Sequence, residues 1–95
     1  MKIIADSGAT KTDWLIYATN YTTITRTSGI NPFHQSSDDI EKIIKEQFQF
    51  EIPCNTNIDE IYFYGAGCTK DKKYIVKAAL IKIFPKSIIH IESDL

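Results

Sequence analysis

Residues 3–14 read IIADSGATKTDW. A β-branched apolar run ends in Asp6, a small turn containing Gly8 and rich in hydroxyls follows, and a second apolar run begins at Trp14. Two strands joined by a tight turn are the simplest local structure for such a pattern. The turn itself has two readings. In one it is an ordinary hairpin, with Asp6 and Ser7 capping it by local hydrogen bonds. In the other it is a cradle for a phosphate and its metal ion. A carboxylate at a strand end can hold Mg²⁺ directly or through water. A glycine lets the backbone approach a ligand, and successive N–H groups make an anion-binding concavity. Thr10 and Thr12 add hydroxyls and Lys11 a positive charge, parts that suit the terminal phosphates of a nucleotide.

Working outward, KIIADS (Lys2–Ser7) reads as a buried strand and TDWLIYA (Thr12–Ala18) as a second. TTITRTS (Thr22–Ser28) alternates as a third, across a short TNY connection. Short links between consecutive strands predict an antiparallel meander. GINPFHQ is a loop, in which Gly29 permits unusual backbone angles and Pro32 holds Asn31 away from helical geometry. A first helix follows, capped by Ser36 or Ser37, with Asp38, Asp39 and Glu41 at its positive end. Ile40, Ile43, Ile44 and Phe48 form its apolar stripe. The pattern fades near Phe50, and Pro53 blocks its continuation. A fourth strand spans about Glu60 to Tyr64. A second helix runs from about Lys70 to Phe84 with Val76, Leu80, Ile83 and Phe84 on one face, and Ala78 and Ala79 allow close approach beside it. SIIHIES is a fifth strand. The order β-β-β-α-β-α-β predicts an α/β domain with one mixed five-stranded sheet and helices packed on it. Two helices are few for a sheet whose central strands need cover on both faces.

At 95 residues the chain makes a single domain. A net charge of −1 gives no basis for attraction to nucleic acid or an anionic membrane. The basic cluster Lys70, Lys72, Lys73, Lys77 is interrupted by Asp71 and reads as solvated surface. No apolar run approaches the roughly 20 residues of a membrane helix. No charged-then-apolar leader is present, so a cytoplasmic setting is expected. Cys54 and Cys68 have neither zinc spacing nor a disulfide framework and read as reduced thiols. His34 lacks a second ligand or base partner and reads as a loop or packing residue, and His90, alternating with Ile89 and Ile91, reads as a sheet-face residue. Trp14, Tyr17, Tyr62 and Phe63 read as strand packing.

DSGATKTDW resembles the first phosphate motif of the sugar kinase, heat-shock 70 and actin superfamily, a loop of the form D-x-G-x-T-x-T. Asp6, Gly8, Thr10 and Thr12 match it position by position. The element order is also that of the ribonuclease H-like half-domain of that superfamily. Within it, GINPF, YGAGCT and the terminal ESDL resemble the N-acetylglucosamine kinase and BadF/BadG/BcrA/BcrD-type ATPase branch, and the likeness spans essentially the whole chain. The resemblance implies ATP and Mg²⁺ as cofactors. Asp6 would organise Mg²⁺, while Gly8, Thr10, Lys11 and Thr12 would border the phosphates. Asn31 would contact a sugar, its amide suiting a hydroxyl-rich ligand; the plain alternative is that it shapes the loop before Pro32. Gly65 and Gly67 would let a second loop approach the substrate or a partner domain, or form an ordinary strand-to-helix turn. Asp94 would be the general base for the sugar hydroxyl in a longer protein. Beside the terminal carboxylate of Leu95 it is instead an exposed tail residue.

The expectation is therefore the N-terminal half of an ATP-dependent sugar kinase, of N-acetylglucosamine type, with the C-terminal domain as the missing partner and the isolated chain inactive. Two other readings remain open. One is an ATPase activator of an acyl-CoA-reducing or dehydrating enzyme, which would bridge an iron–sulfur cluster through cysteines. The other is a non-catalytic fragment that binds or packs against a partner, and whose open sheet face or edge favours homo-oligomers. A nuclease would need further acids at the end of the fourth strand, where YFYGAG offers none.

Overall fold

The computed structural model describes residues 1–20, 22–48 and 58–93. Its strands are β1 (Lys2–Ser7), β2 (Lys11–Tyr17), β3 (Thr22–Ser28), β4 (Glu60–Gly65) and β5 (Ile88–Ser93). Helix α1 (Ser37–Gln47) lies between β3 and β4, and α2 (Lys73–Ile83) between β4 and β5. The order along the chain is the expected β-β-β-α-β-α-β. The strands form one sheet in the order β3-β2-β1-β4-β5. β1 pairs antiparallel with β2, and β2 with β3, while β4 lies parallel to β1 and β5 parallel to β4. This is the mixed five-stranded sheet that the hydrophobic periods predict.

The pleat sorts the side chains. Ile3 and Ala5 of β1, Trp14 and Ile16 of β2, Ile61 and Phe63 of β4, and Ile89 and Ile91 of β5 share one buried cluster. Ile40 and Ile44 of α1 and Val76, Ala79 and Leu80 of α2 belong to the same cluster, so both helices cover one face. Trp14 sits at its centre, edge-on to Phe48 at 5.5 Å and tilted against Phe63 at 5.9 Å. Its indole N–H donates to Thr27 Oγ1 at 3.0 Å, which satisfies a donor that would otherwise be buried unpaired.

The opposite face carries Ile4, Leu15, Tyr17, Ile24, Tyr62, Tyr64 and Ile88, and no described element covers it. The strand aromatics therefore divide: Trp14 and Phe63 are fully buried, whereas Tyr17, Tyr62 and Tyr64 lie on the open side. Sequence alone could not separate them, because the two faces differ in what packs on them rather than in residue type. On this open face Tyr62 Oη donates to Glu60 at 2.7 Å, and His90 Nε2 lies 3.1 Å from the same carboxylate and stacks on the Tyr62 ring. Lys2 approaches Glu60 to 3.5 Å. Hydrogen bonds from Tyr62 and His90, with the Lys2 charge, hold Glu60 below the usual glutamate range, and its carboxylate in turn pushes the Tyr62 hydroxyl up.

Helix α1 begins as the residues dictate. Ser36 Oγ accepts from Asp39 N–H at 3.2 Å, and the Asp39 carboxylate accepts from Ser36 N–H at 2.9 Å, a closed capping box. Helix α2 begins at Lys73, not near Lys70. Thr69 C=O accepts from both Lys72 and Lys73 N–H, so residues 70–72 form a turn, and no side chain caps the helix there. The end of the first apolar pattern near Phe50 and Pro53, along with Cys54, lies outside the described residues. No described helix is long and apolar enough to cross a membrane.

Candidate functional site

Parallel pairing of β1, β4 and β5 aligns Ser7 with Gly65 and Gly65 with Ser93. Antiparallel pairing brings Thr12 opposite Ser7, and Ser28 opposite Lys11. The turn after β1, the loop from β3 to α1 and the loop from β4 to α2 therefore meet at one end of the sheet. Crevices outside the carboxyl ends of strands are where open α/β sheets bind ligands.

The β1–β2 turn closes with Gly8 N–H donating to Lys11 C=O at 2.8 Å. Its tip residues Ala9 and Thr10 are exposed, and their N–H groups make no hydrogen bond among the described residues. Asp6 is exposed on the open side of the sheet, opposite Asp13 in register, and its carboxylate has no hydrogen-bond or ion-pair partner among the described residues. Asp13 is engaged by Arg26 Nε at 2.6 Å, and that hydrogen bond and charge hold it below the usual range. Lys11 is exposed at the start of β2. Among the described residues a Cβ at Gly8 would meet only Lys11 C=O, at an ordinary 3.7 Å, so none of them demands glycine there. Free turn amides, an uncommitted carboxylate and an open glycine are a donor set that fits a magnesium–phosphate group.

The hydroxyls of Ser7 and Thr12 do different work from Thr10. Both are fully buried. Ser7 Oγ donates to Ile30 C=O at 3.0 Å, accepts from Ile30 N–H at 3.0 Å and lies 2.8 Å from Thr12 Oγ1. Thr12 Oγ1 donates to Ser28 C=O at 3.1 Å. In place of the local cap that the plain-hairpin reading gives Ser7, its hydroxyl makes a long-range tie, which fixes the β1–β2 turn against the β3–α1 loop. Thr12 borders the turn through its backbone while its hydroxyl faces inward. Gly29 completes this contact: a Cβ there would fall 2.6 Å from both the Gly8 and Ala9 carbonyl oxygens. Its glycine is required by close approach, not by the unusual backbone angle that the sequence suggests, since only Gly67 has positive φ among the glycines.

Asn31 follows in the same loop. Its Oδ1 accepts from Phe33 N–H at 2.9 Å, and its own N–H donates to Gln35 Oε1 at 2.7 Å. Gln35 Nε2 donates to Gly29 C=O at 3.1 Å. From the β4–α2 loop, Gly67 adopts φ 77° and packs directly on the Asn31 side-chain oxygen, where a Cβ would collide. Lys72 Nζ stands 5.8 Å from the centre of the exposed Phe33 ring, a second contact between these loops. Ala66 N–H donates to Ser7 C=O at 3.2 Å, joining the third loop to the first. Gly65 is buried, and a Cβ there would strike the Phe63 ring at 2.6 Å and approach Cys68 Sγ at 3.2 Å. Its reason for being glycine lies in the core.

The structure therefore brings Asp6, Gly8, Thr10, Lys11, Thr12, Asn31, Gly65 and Gly67 to one end of the sheet. Asp94 follows Ser93 at the same end in sequence and lies outside the described residues. Reasoning from sequence missed Ser7 and Gln35 as organisers of the site. A serine in a turn and a glutamine before a helix cap are too common to signal long-range hydrogen bonds.

Fold and loop arrangement together define a half-domain of the sugar kinase-like fold. Among solved structures the chain is similar to the crystal structure of the putative N-acetylglucosamine kinase from Porphyromonas gingivalis, with a TM-score of 0.86 and 37% identity. The alignment covers 99% of this chain and 34% of that protein, so the chain spans about a third of its length. No protein-family model and no curated protein matches the chain.

Proposed function

We propose that the chain is the N-terminal part of an ATP-dependent sugar kinase that phosphorylates a sugar of N-acetylglucosamine type. The observation that carries the reading is the meeting of the D-x-G-x-T-x-T turn with the Asn31 loop, joined through Ser7, Thr12 and Gly29. A simple hairpin has no need of buried hydroxyls that lock it to a distant loop. Likeness over nearly the whole chain to a protein described as such a kinase supports the same choice.

In this reading Asp6 holds Mg²⁺, directly or through water, because it is exposed and uncommitted at the end of β1. The amides of Ala9 and Thr10, the Thr10 hydroxyl and Lys11 border the phosphates. Gly8 leaves room for them, and Thr12 keeps the turn in place from below. Asn31 faces the sugar, with Gly67 packed behind it. When bound, magnesium–ATP supplies the phosphoryl group and offsets its charge. Asp94 is assigned to take the proton of the attacking hydroxyl. Partners implied by this reading are the remainder of the kinase and a small sugar.

Titration of the ¹⁵N-labelled chain with magnesium–ATP tests this. Amide shifts are expected at residues 6–12, weakened by about tenfold or more in Asp6→Asn as a charge-assisted contact is lost. Equal responses of the two proteins, or shifts confined to other surfaces, would reject the assignment.

A further inference from the structure

The β3–α1 loop shows how Asn31 is presented. A terminal amide has one oxygen that accepts and one nitrogen that donates. Phe33 N–H can only donate, so the atom 2.9 Å from it is the Asn31 oxygen, and this contact fixes the orientation of the amide. Gln35 is fixed by the same logic from two sides. Its oxygen must face Asn31 N–H at 2.7 Å, and its nitrogen must face Gly29 C=O at 3.1 Å. One side chain therefore bridges the residues before and after Ile30, whose own backbone is held by Ser7. Gly67 closes the remaining side, against the Asn31 oxygen.

We infer that Gln35 is a positioning residue: by holding the backbone of Asn31 and Gly29 it keeps the loop in the shape in which Phe33 N–H orients the Asn31 amide as a hydrogen-bond donor, so that this part of the site selects an acceptor oxygen on its ligand. The Asn31 oxygen accepts from Phe33 N–H and is covered by Gly67, so its NH₂ is the part of the amide turned to a ligand. A sugar hydroxyl recognised here is met at its oxygen, and its proton must be taken by another group. The ligand class rests on the sugar kinase reading, whereas the clasp itself rests on the loop alone.

Hydrogen exchange and sugar titration of the ¹⁵N-labelled chain separate the two. In Gln35→Met both clasp bonds are lost, and exchange of the Phe33 amide is expected to accelerate by about tenfold, the scale of one hydrogen bond. Gln35→Glu keeps the acceptor for Asn31 N–H but not the donor to Gly29, and is expected to fall between Met and wild type; it also serves if the Met variant fails to fold. Asn31→Asp retains an oxygen for Phe33 N–H but has no NH₂. It should keep slow exchange at Phe33 while its response to added N-acetylglucosamine weakens by about tenfold. If Asn31 only shaped the loop, Asn31→Asp would respond to the sugar as wild type does, and that result overturns the donor assignment. Fast Phe33 exchange in the wild type overturns the clasp. A protected Phe33 amide with no response of the wild type to the sugar upholds the clasp and rejects the sugar reading.

Discussion

Gly67 and Gly29 carry the sharpest residue-level consequences, for different reasons. Gly67 needs its left-handed backbone and also leaves no room for a methyl group beside Asn31. Gly67→Ala is expected to cost about 1–3 kcal/mol in urea unfolding, the scale of a strained φ together with a displaced neighbour. Gly29 sits under two backbone carbonyl oxygens, which cannot swing away as a flexible side chain would. Gly29→Ala should therefore displace the β1–β2 turn and weaken magnesium–ATP binding, with the core signals of Trp14 and Phe63 unchanged. If Gly29→Ala bound the nucleotide normally, the rigid coupling between turn and loop would be refuted. Both glycines stand out in the sequence. What each must avoid does not, because the colliding atoms belong to residues two or more elements away.

At the level of elements, helix α1 depends on its capping box and on Ile40 and Ile44. Ser36→Ala should lower stability by about 1 kcal/mol, read as a shift in the urea midpoint. On α2, Leu80 is fully buried where both helices meet the sheet, and Leu80→Ala should cost about 2–5 kcal/mol. Four carboxylates, Asp13, Asp39, Glu41 and Glu60, are held below their ordinary values by hydrogen bonds and cations that exist only in the fold. The unfolded chain then binds protons first as pH falls. Their stabilisation is complete above the ordinary values of 3.8 to 4.5 and is lost as pH drops through the lower folded values. Thermal melts should be level from neutral pH to about 5 and decline below it. Glu60→Gln should soften that decline, and a melting temperature unchanged down to pH 3 would contradict the linkage. The helix cap and apolar stripes are legible in sequence because they use contacts within one or two turns. The start of α2 is not, since a lysine-rich turn and a lysine-rich helix look alike until the Thr69 carbonyl is placed.

For the whole molecule, the decisive feature is a sheet that the described elements dress on one side. Ile24 and Ile88 are more than half exposed on the other, at 64% and 62%. An apolar face of this kind favours association. We expect the chain to self-associate in size-exclusion chromatography with light scattering, and Ile24→Lys with Ile88→Lys to shift it toward monomer; a monomer at all concentrations would count against that. The chain spans about a third of the kinase it resembles in structure. Proposed as a half-site, it should show no useful sugar-dependent ATP turnover in a coupled assay, and robust turnover would require the division of labour to be redrawn.

By itself the sequence determined the element order, the core side of each helix and the tight turn between the first two strands. Those features follow from alternation, helical spacing and a local motif, all of which are encoded by neighbours along the chain. Only the tertiary structure decided that both helices share one face, that Ser7 and Thr12 turn inward, and that Gln35 bridges the backbones of Gly29 and Asn31. These depend on atoms distant in sequence reaching hydrogen-bond or contact distance, and a buried polar group finds its partner only once the chain has closed around it.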